Sequence, residues 1–240
     1  MTDIALPSPD DLRRRLEDLR KSRGFLLPHH GVMAAAMPDL HESYFVMYRA
    51  LTLARRHLED FEKEFVWLAV LISVEEAIGT HHVDLFLKSG GTRAQAAGAA
   101  RLVGYASSAR ALDFMAGSWS HLLPGLDPHA AYRDGLDALC AGIDVGRDTI
   151  ELALAAVNAA LRRESGLRFH LIDAYKRGIP EIKIAEALSY IIWPVGVNHF
   201  LDACAVWHDL LATGAVTPSP RFKVWADTPR QGGFDDAKKG

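Results

Sequence analysis

Apolar positions recur at helical spacing through most of this chain. Leu12, Leu16 and Leu19 follow Ser8-Pro9-Asp10-Asp11, a helix start in which Ser8 can cap, Pro9 suits the first turn and Asp11 completes a capping box. The spacing predicts an amphipathic helix over 9–22, ended by Gly24. Residues 24–38 read as a connector broken by two prolines, with His29 and His30 as a solvated loop pair. Tyr44, Met47, Tyr48, Leu51 and Ala54 mark a second helix from Leu40 to about Leu58. Phe61 to Lys88 is mostly helical, with Gly79-Thr80 as a candidate break, and further helices are expected over Thr92–Leu102 and Ala109–Leu123. After Pro124, Gly125 and Pro128 the helical pattern resumes to about Thr213. No stretch alternates with period two between turn signals, so the expected fold class is all-α. The last residues, 214–240, are rich in Pro, Gly and charge and read as an extended tail, with Phe222, Val224 and Trp225 as anchors.

The densest chemistry lies in Glu62–Thr92, where an apolar run abruptly gives way to Glu75, Glu76, His81 and His82 and then to a Gly-Gly-Thr turn. Carboxylates and imidazoles placed directly after a buried run need partners. A polar pocket at the end of a core helix accounts for them better than a solvated face. On an unbroken helix Glu75, Ile78 and His82 share one side, whereas Glu76 points aside unless Gly79-Thr80 interrupts the helix. Both arrangements are open from the sequence.

Composition narrows the class. The chain is 49% hydrophobic and 24% charged, ordinary for a globular protein, and its net charge of -3 supplies no basic field for nucleic acid. No apolar run reaches membrane-span length, and the N-terminus lacks a signal-peptide pattern, so neither nucleic acid nor membrane is expected as a partner and a cytoplasmic location is. Cys140 and Cys204 match no CxxC or metal-knuckle spacing and are expected as reduced, buried thiols.

Sliding the chain by 88 residues lays Glu76 on Glu164, His82 on His170, Lys88 on Lys176, Gly90 on Gly178 and Trp119 on Trp207. This predicts a unit used twice, over 38–125 and 126–213, preceded by an N-terminal helix and connector (1–37) and followed by the tail (214–240). The two pockets are not equal: Arg163 stands where the first has Glu75, and Phe169 where it has His81.

These residues resemble the core of the carboxymuconolactone decarboxylase and alkylhydroperoxidase-D-like family. The matching signature is an acidic helix entry (Phe61-Glu62-Lys63-Glu64-Phe65), a polar site ending in His (Glu75 to His82) and a turn through Lys88-Ser89-Gly90-Gly91-Thr92. In the second copy Glu151, Arg163-Glu164, His170 and Arg177-Gly178-Ile179-Pro180-Glu181 correspond. The resemblance covers roughly 38–213 and implies a helical bundle assembled as a homo-oligomer. Peroxidase members carry CxxC; here those positions are Glu75 and Ile78, or Arg163 and Gly166, which form neither thiolate nor disulfide. Members without these cysteines work without cofactor.

The expected activity is therefore cofactor-independent acid–base chemistry, a decarboxylation or isomerisation of a small organic acid or lactone. Glu76, His82 and Glu64 are its candidate catalytic residues, with Glu75, His81, Arg163, Glu164 and His170 as substrate-binding candidates. A carboxylate beside an imidazole can be tuned for proton transfer, and a cation can hold a substrate carboxylate. The alternatives are an antioxidant peroxidase, which would need Cys140 or Cys204, and a non-catalytic oligomeric ligand-binding module. A metal held by the Glu/His cluster with His29 or His30 is a weaker reading, since no HExxH is present. Trp119, Trp207, His199 and His208 read as core, interface or ordinary helix residues.

Overall fold

The computed structural model describes residues 5–231, and these form helices joined by short turns, with no strand among them. The chain divides into two compact units, Met1–Ala54 and Arg55–Gly240.

In the first unit α1 spans Pro9–Arg23: Ser8 Oγ accepts from the Asp11 amide at 3.2 Å, and Gly24 ends the helix at φ +80°. The segment expected as a connector contains α2 (Pro28–Ala36), and α3 follows at Pro38–Tyr48. Pro28 and Pro38 occupy first helical positions, where a missing N–H costs no hydrogen bond, so they start helices rather than break the chain. The helix expected to reach Leu58 stops sooner, passing into a wide π turn at Arg49–Leu53. His30 is fully buried, contrary to the expected solvated pair. Its Nδ1 accepts from the Leu27 amide at 3.2 Å, and its ring lies among those of His29, His41, Tyr44 and Phe45.

The second unit comprises α4 (Asp60–Ser73), α5 (Thr80–Lys88), α6 (Arg93–Ser108), α7 (Arg110–Ser118), α8 (Pro128–Cys140), α9 (Arg147–Ala160), α10 (Glu164–Lys176), α11 (Glu181–Ser189), α12 (Ile192–Val195), α13 (Val197–Ala212) and α14 (Pro220–Asp227). Its centre is α9, buried from Thr149 to Ala160 and packed most closely on α4 and α10. The run TIELALAAVNAA is rich in alanine, so neighbouring helices can approach closely, while each buried Leu, Ile or Val side chain contributes roughly 1.5–3 kcal/mol. Glu64 on α4 and Glu151 on α9 sit inside these runs and must be paired to be tolerated.

Both central helices end alike. After α4, Glu75 turns left-handed (φ +56°) and the Glu76 amide bonds Leu71 O at 3.0 Å. After α9, Arg162 does so (φ +52°) and the Arg163 amide bonds Asn158 O at 2.8 Å. The following helices also end on matching turns, at Gly90 (φ +93°) and Gly178 (φ +72°). The stretch expected as an extended tail contains α14, whose Phe222 and Trp225 rings lie 5.1 and 5.4 Å from that of Trp207. Val224 is 69% exposed and anchors nothing; residues 232–240 of that stretch lie outside the described residues. No helix among the described residues is long and apolar enough to cross a membrane.

Candidate active site

Glu64 and His82, 18 residues apart, meet between α4 and α5: Glu64 Oε2 lies 2.7 Å from His82 Nδ1, and both side chains are buried. Trp67, one turn after Glu64, lies face-on against His82 at 4.2 Å and against Tyr190 at 4.9 Å. The His81 ring is 4.1 Å from that of His82, and Lys63 Nζ is 4.0 Å from Glu64 Oε1. The unbroken helix on which Glu75 would share a face with His82 does not exist, because residues 74–79 leave the helix. Glu75 is exposed on that turn, and Glu76 Oε1 accepts from the Ile78 amide at 2.7 Å. Glu64, not Glu76, is thus the carboxylate bonded to His82.

A second pair forms between α9 and α10. Glu151 Oε2 lies 2.6 Å from His170 Nδ1, 19 residues later in the chain, and both are fully buried. Arg147 Nε donates to the other Glu151 oxygen at 2.6 Å, while its NH1 reaches Asp137 at 2.5 Å. Burial pushes the Glu151 carboxyl up, but the hydrogen bonds and charges of His170 and Arg147 outweigh it and hold it below the usual range. An ionised Glu151 accepts from Nδ1–H, which leaves His170 Nε2 as an acceptor. The Tyr132 hydroxyl, 3.0 Å away, donates to it. Burial and the nearby Glu151 charge raise the Tyr132 phenol well above its ordinary value, so it is held as O–H.

Beyond Tyr132 lies a cavity of about 30 Å³, bordered by His129, Asn158, Arg163, Gly166 and Phe169. That is space for roughly two waters or a very small ligand group. Arg163 is the N-cap residue of α10, and its NH1 donates to Ala106 O at 2.8 Å. Glu164, by contrast, points to solvent and pairs with Arg168 at 2.9 Å. Of the expected residues the structure therefore brings together His82 with Glu64 and His81, and His170 with Glu151. It places Arg163 at the cavity and leaves Glu75, Glu76 and Glu164 on turns or the surface. Tyr132 had no sequence signal, since it lies 38 residues before His170 in another helix, whereas Arg147 had one that went unused, its i,i+4 spacing to Glu151.

Neither cysteine joins either pair as a thiolate. Both are half-buried and outside any disulfide, Cys140 lying against Arg147, and burial raises the two thiols, Cys204 to about 11. Among the described residues no group of three His, Cys, Asp or Glu side chains is arranged to hold a metal ion. Trp207 is buried, its Nε1 donating to the Tyr175 hydroxyl at 3.0 Å, whereas Trp119 is exposed beside Phe114. His199 Nδ1 bonds Ala160 O at 2.8 Å, and the His208 ring lies against Trp225.

No family model matches this chain, and no curated protein does. By structure it is similar to a solved "putative gamma-carboxymuconolactone decarboxylase subunit" from Burkholderia xenovorans LB400, at 20% identity and a TM-score of 0.54, over 88% of this chain and 100% of that one. At that identity the likeness is one of fold, and the chain has the all-α fold of that carboxymuconolactone decarboxylase-like structure.

Proposed function

We propose that this protein is an enzyme of cofactor-independent acid–base chemistry, a decarboxylase- or isomerase-like catalyst acting on a small organic acid or lactone. The observation that carries this is the buried Glu151–His170 pair, which continues through Tyr132 to a cavity edged by Arg163. Glu151 fixes the His170 tautomer and stabilises the imidazolium when a proton arrives. Tyr132 passes the proton between Nε2 and the cavity. Such a group can deliver a proton to the carbanion left as carbon dioxide departs, or move one between neighbouring carbons of an unsaturated acid.

We read α4–α6 and α9–α11 as two copies of one unit. The matching turns at Glu75 and Arg162, the matching glycine turns and the two Glu–His pairs support this. In our reading the copies have diverged. Tyr132 links the second pair to the cavity, and on that ground we read the second pair as the reactive one and the first, stacked under Trp67, as structural. Assembly as a homo-oligomer is part of the same proposal and rests on the family resemblance.

The test incubates the protein with a panel of small unsaturated acids and lactones, following carbon dioxide release and proton NMR. Once turnover is found, His170→Asn and Glu151→Gln should each lower kcat by roughly 100- to 10,000-fold, the usual share of a general acid–base group. Turnover unchanged in both variants would overturn the proposal. So would hydroperoxide consumption with a dithiol reductant that depends on Cys140 or Cys204.

A further inference from the structure

On the two-copy reading, an offset of 88 residues places the end of the first copy on α13, and there the copies part. In the second copy α11 stops at Ser189, and the run Trp193-Pro194-Val195-Gly196 turns the chain, with Gly196 at φ +90°. α13 then folds back along α10 and α9. The matching residues of the first copy, Tyr105-Ala106-Ser107-Ser108, include neither proline nor glycine. There α6 continues as helix to Ser108, and α7 goes on to pack on α8.

Two surfaces that meet in the second copy are left bare in the first. On α13, Trp207, Leu210 and Leu211 are buried. Their counterparts Trp119, Leu122 and Leu123 are exposed, Trp119 at 46% against 2% for Trp207. On α10, the Arg168–Asp209 ion pair and the Tyr175–Trp207 hydrogen bond mark the side that meets α13. Leu171 lies on that side, three residues after Arg168 and four before Tyr175. The positions on α5 that match Leu171 and Tyr175 are Val83 and Leu87, both exposed, Val83 at 47% against 0% for Leu171. Ile78, two residues before α5, is exposed as well.

The bare surfaces suit each other. Residues 116–126 include no Lys, Arg, Asp or Glu, and on α5 Asp84 and Lys88 pair with each other at 2.6 Å. Contact between them therefore leaves no charge of either stretch unpaired. At their exposures the six apolar side chains offer roughly 600 Å² on each molecule, and a reciprocal pair covers roughly 1,200 Å², where specific interfaces begin.

We propose that the bare face of α5 is the docking site for segment 119–123 of a second molecule of this chain, exchanged reciprocally about a twofold axis. Trp119 takes on the partner's α5 the place that Trp207 takes on α10. Leu87, standing where α10 has Tyr175, makes that contact apolar. The inference rests on the two-copy reading and gives the proposed homo-oligomer its interface. Exchange follows from the missing turn: each molecule carries the segment away from its own α5 and receives the same segment in return.

Sedimentation velocity of the full chain over a range of concentrations reads the association. The wild type is expected as a dimer or a multiple of one. Val83→Glu and Leu122→Lys should each raise the dissociation constant roughly 100-fold or more, because each drives a charge into an apolar contact. Both positions are exposed in the single chain, so circular dichroism should show native helix content. Leu122→Ser, with a loss of roughly tenfold, covers the case in which a charged variant is not folded. Val224→Glu, at an exposed apolar position of α14, should change nothing. Mixing the Val83→Glu and Leu122→Lys chains should restore association, since the mixed pair keeps one native contact and sets Glu against Lys in the other. A wild type monomeric at every concentration, an oligomer unmoved by both variants, an equal loss in Val224→Glu, or no recovery on mixing each overturns the inference. Turnover and the superposition of α4–α6 on α9–α11 are measured separately. An oligomer held by another surface therefore removes this docking site and leaves the acid–base and two-copy readings standing, while a monomer removes the proposed assembly as well.

Discussion

Acid should loosen the Met1–Ala54 unit through His30. Its ring is fully buried, its Nδ1 accepts from the Leu27 amide, and its Nε2 has no partner among the described residues. Protonating Nδ1 turns that acceptor into a donor facing a donor, at the start of α2. Burial, then the charges of His29, Arg23 and His41, lower the His30 pKa from 6.5 to about 4. A base whose folded pKa is depressed destabilises the fold as pH drops below its unfolded value. Stability is therefore intact above about 6.5, falls between there and about 4, and then levels. At 1.36 kcal/mol per pH unit the full loss is about 3 kcal/mol, with about 2 kcal/mol gone by pH 5. His29 and His41 are also lowered, chiefly by burial, and act in the same direction.

Hydrogen exchange of peptides within 28–48, corrected for intrinsic rates and compared at pH 7 and pH 5, reads this directly. The 2 kcal/mol corresponds to roughly a thirtyfold loss of protection. His30→Gln keeps an N3 acceptor for the Leu27 amide and cannot titrate, so its loss should be visibly smaller. A His30 midpoint near 6.5 by NMR, or the same pH dependence in His30→Gln, would refute the reasoning.

Three further outcomes follow from the packing. Gly166→Ala drives a Cβ into Asn158 and should cost about 1–3 kcal/mol in urea unfolding, whereas Gly104→Ala, at an exposed position of α6, meets nothing within 4 Å and should stabilise by about 0.5–1 kcal/mol. Replacing the first pair together, Glu64→Met with His82→Leu, should be close to neutral in stability, while Glu64→Ala alone, which strands a buried imidazole beside Lys63, should cost about 3 kcal/mol or more; thermal melts of the two variants separate these. Cys140→Ser and Cys204→Ser, singly and together, should leave substrate turnover unchanged, because burial keeps both thiols protonated and neither is bonded to a Glu–His pair.

What was legible in the sequence is what local spacing encodes. The Ser8 cap, the Gly24 stop and the Glu-to-His separations of 18 and 19 residues are set by neighbours along the chain. The errors came where one local rule was extended too far. Pro28 and Pro38 look like breaks in the sequence, although the first position of a helix is where proline fits best. Helical continuity would place Glu75 beside His82, and a single left-handed residue at Glu75 removes it; a break would free Glu76 to turn towards His82, yet its carboxylate bonds the Ile78 amide instead. Tyr132 reaches His170 through packing of α8 on α10, which no periodicity reports, whereas Arg147 stands four residues before Glu151 on one helix, a spacing from which the pair was readable.

The two Glu–His pairs show why a motif match alone could not rank them. Each puts an ionisable pair inside a buried helix, and each satisfies the rule that buried charge must be paired. At that level either could be structural. They part at the second imidazole nitrogen and the ring face. Trp67 stacks flat on the His82 ring face, and its indole N–H makes no hydrogen bond among the described residues. Tyr132 instead meets His170 edge-on with a hydroxyl able both to accept and to donate, and it lines a cavity that Arg163 also borders. Chemistry needs a path from the buried base to something outside the protein, and in this chain the second pair has one.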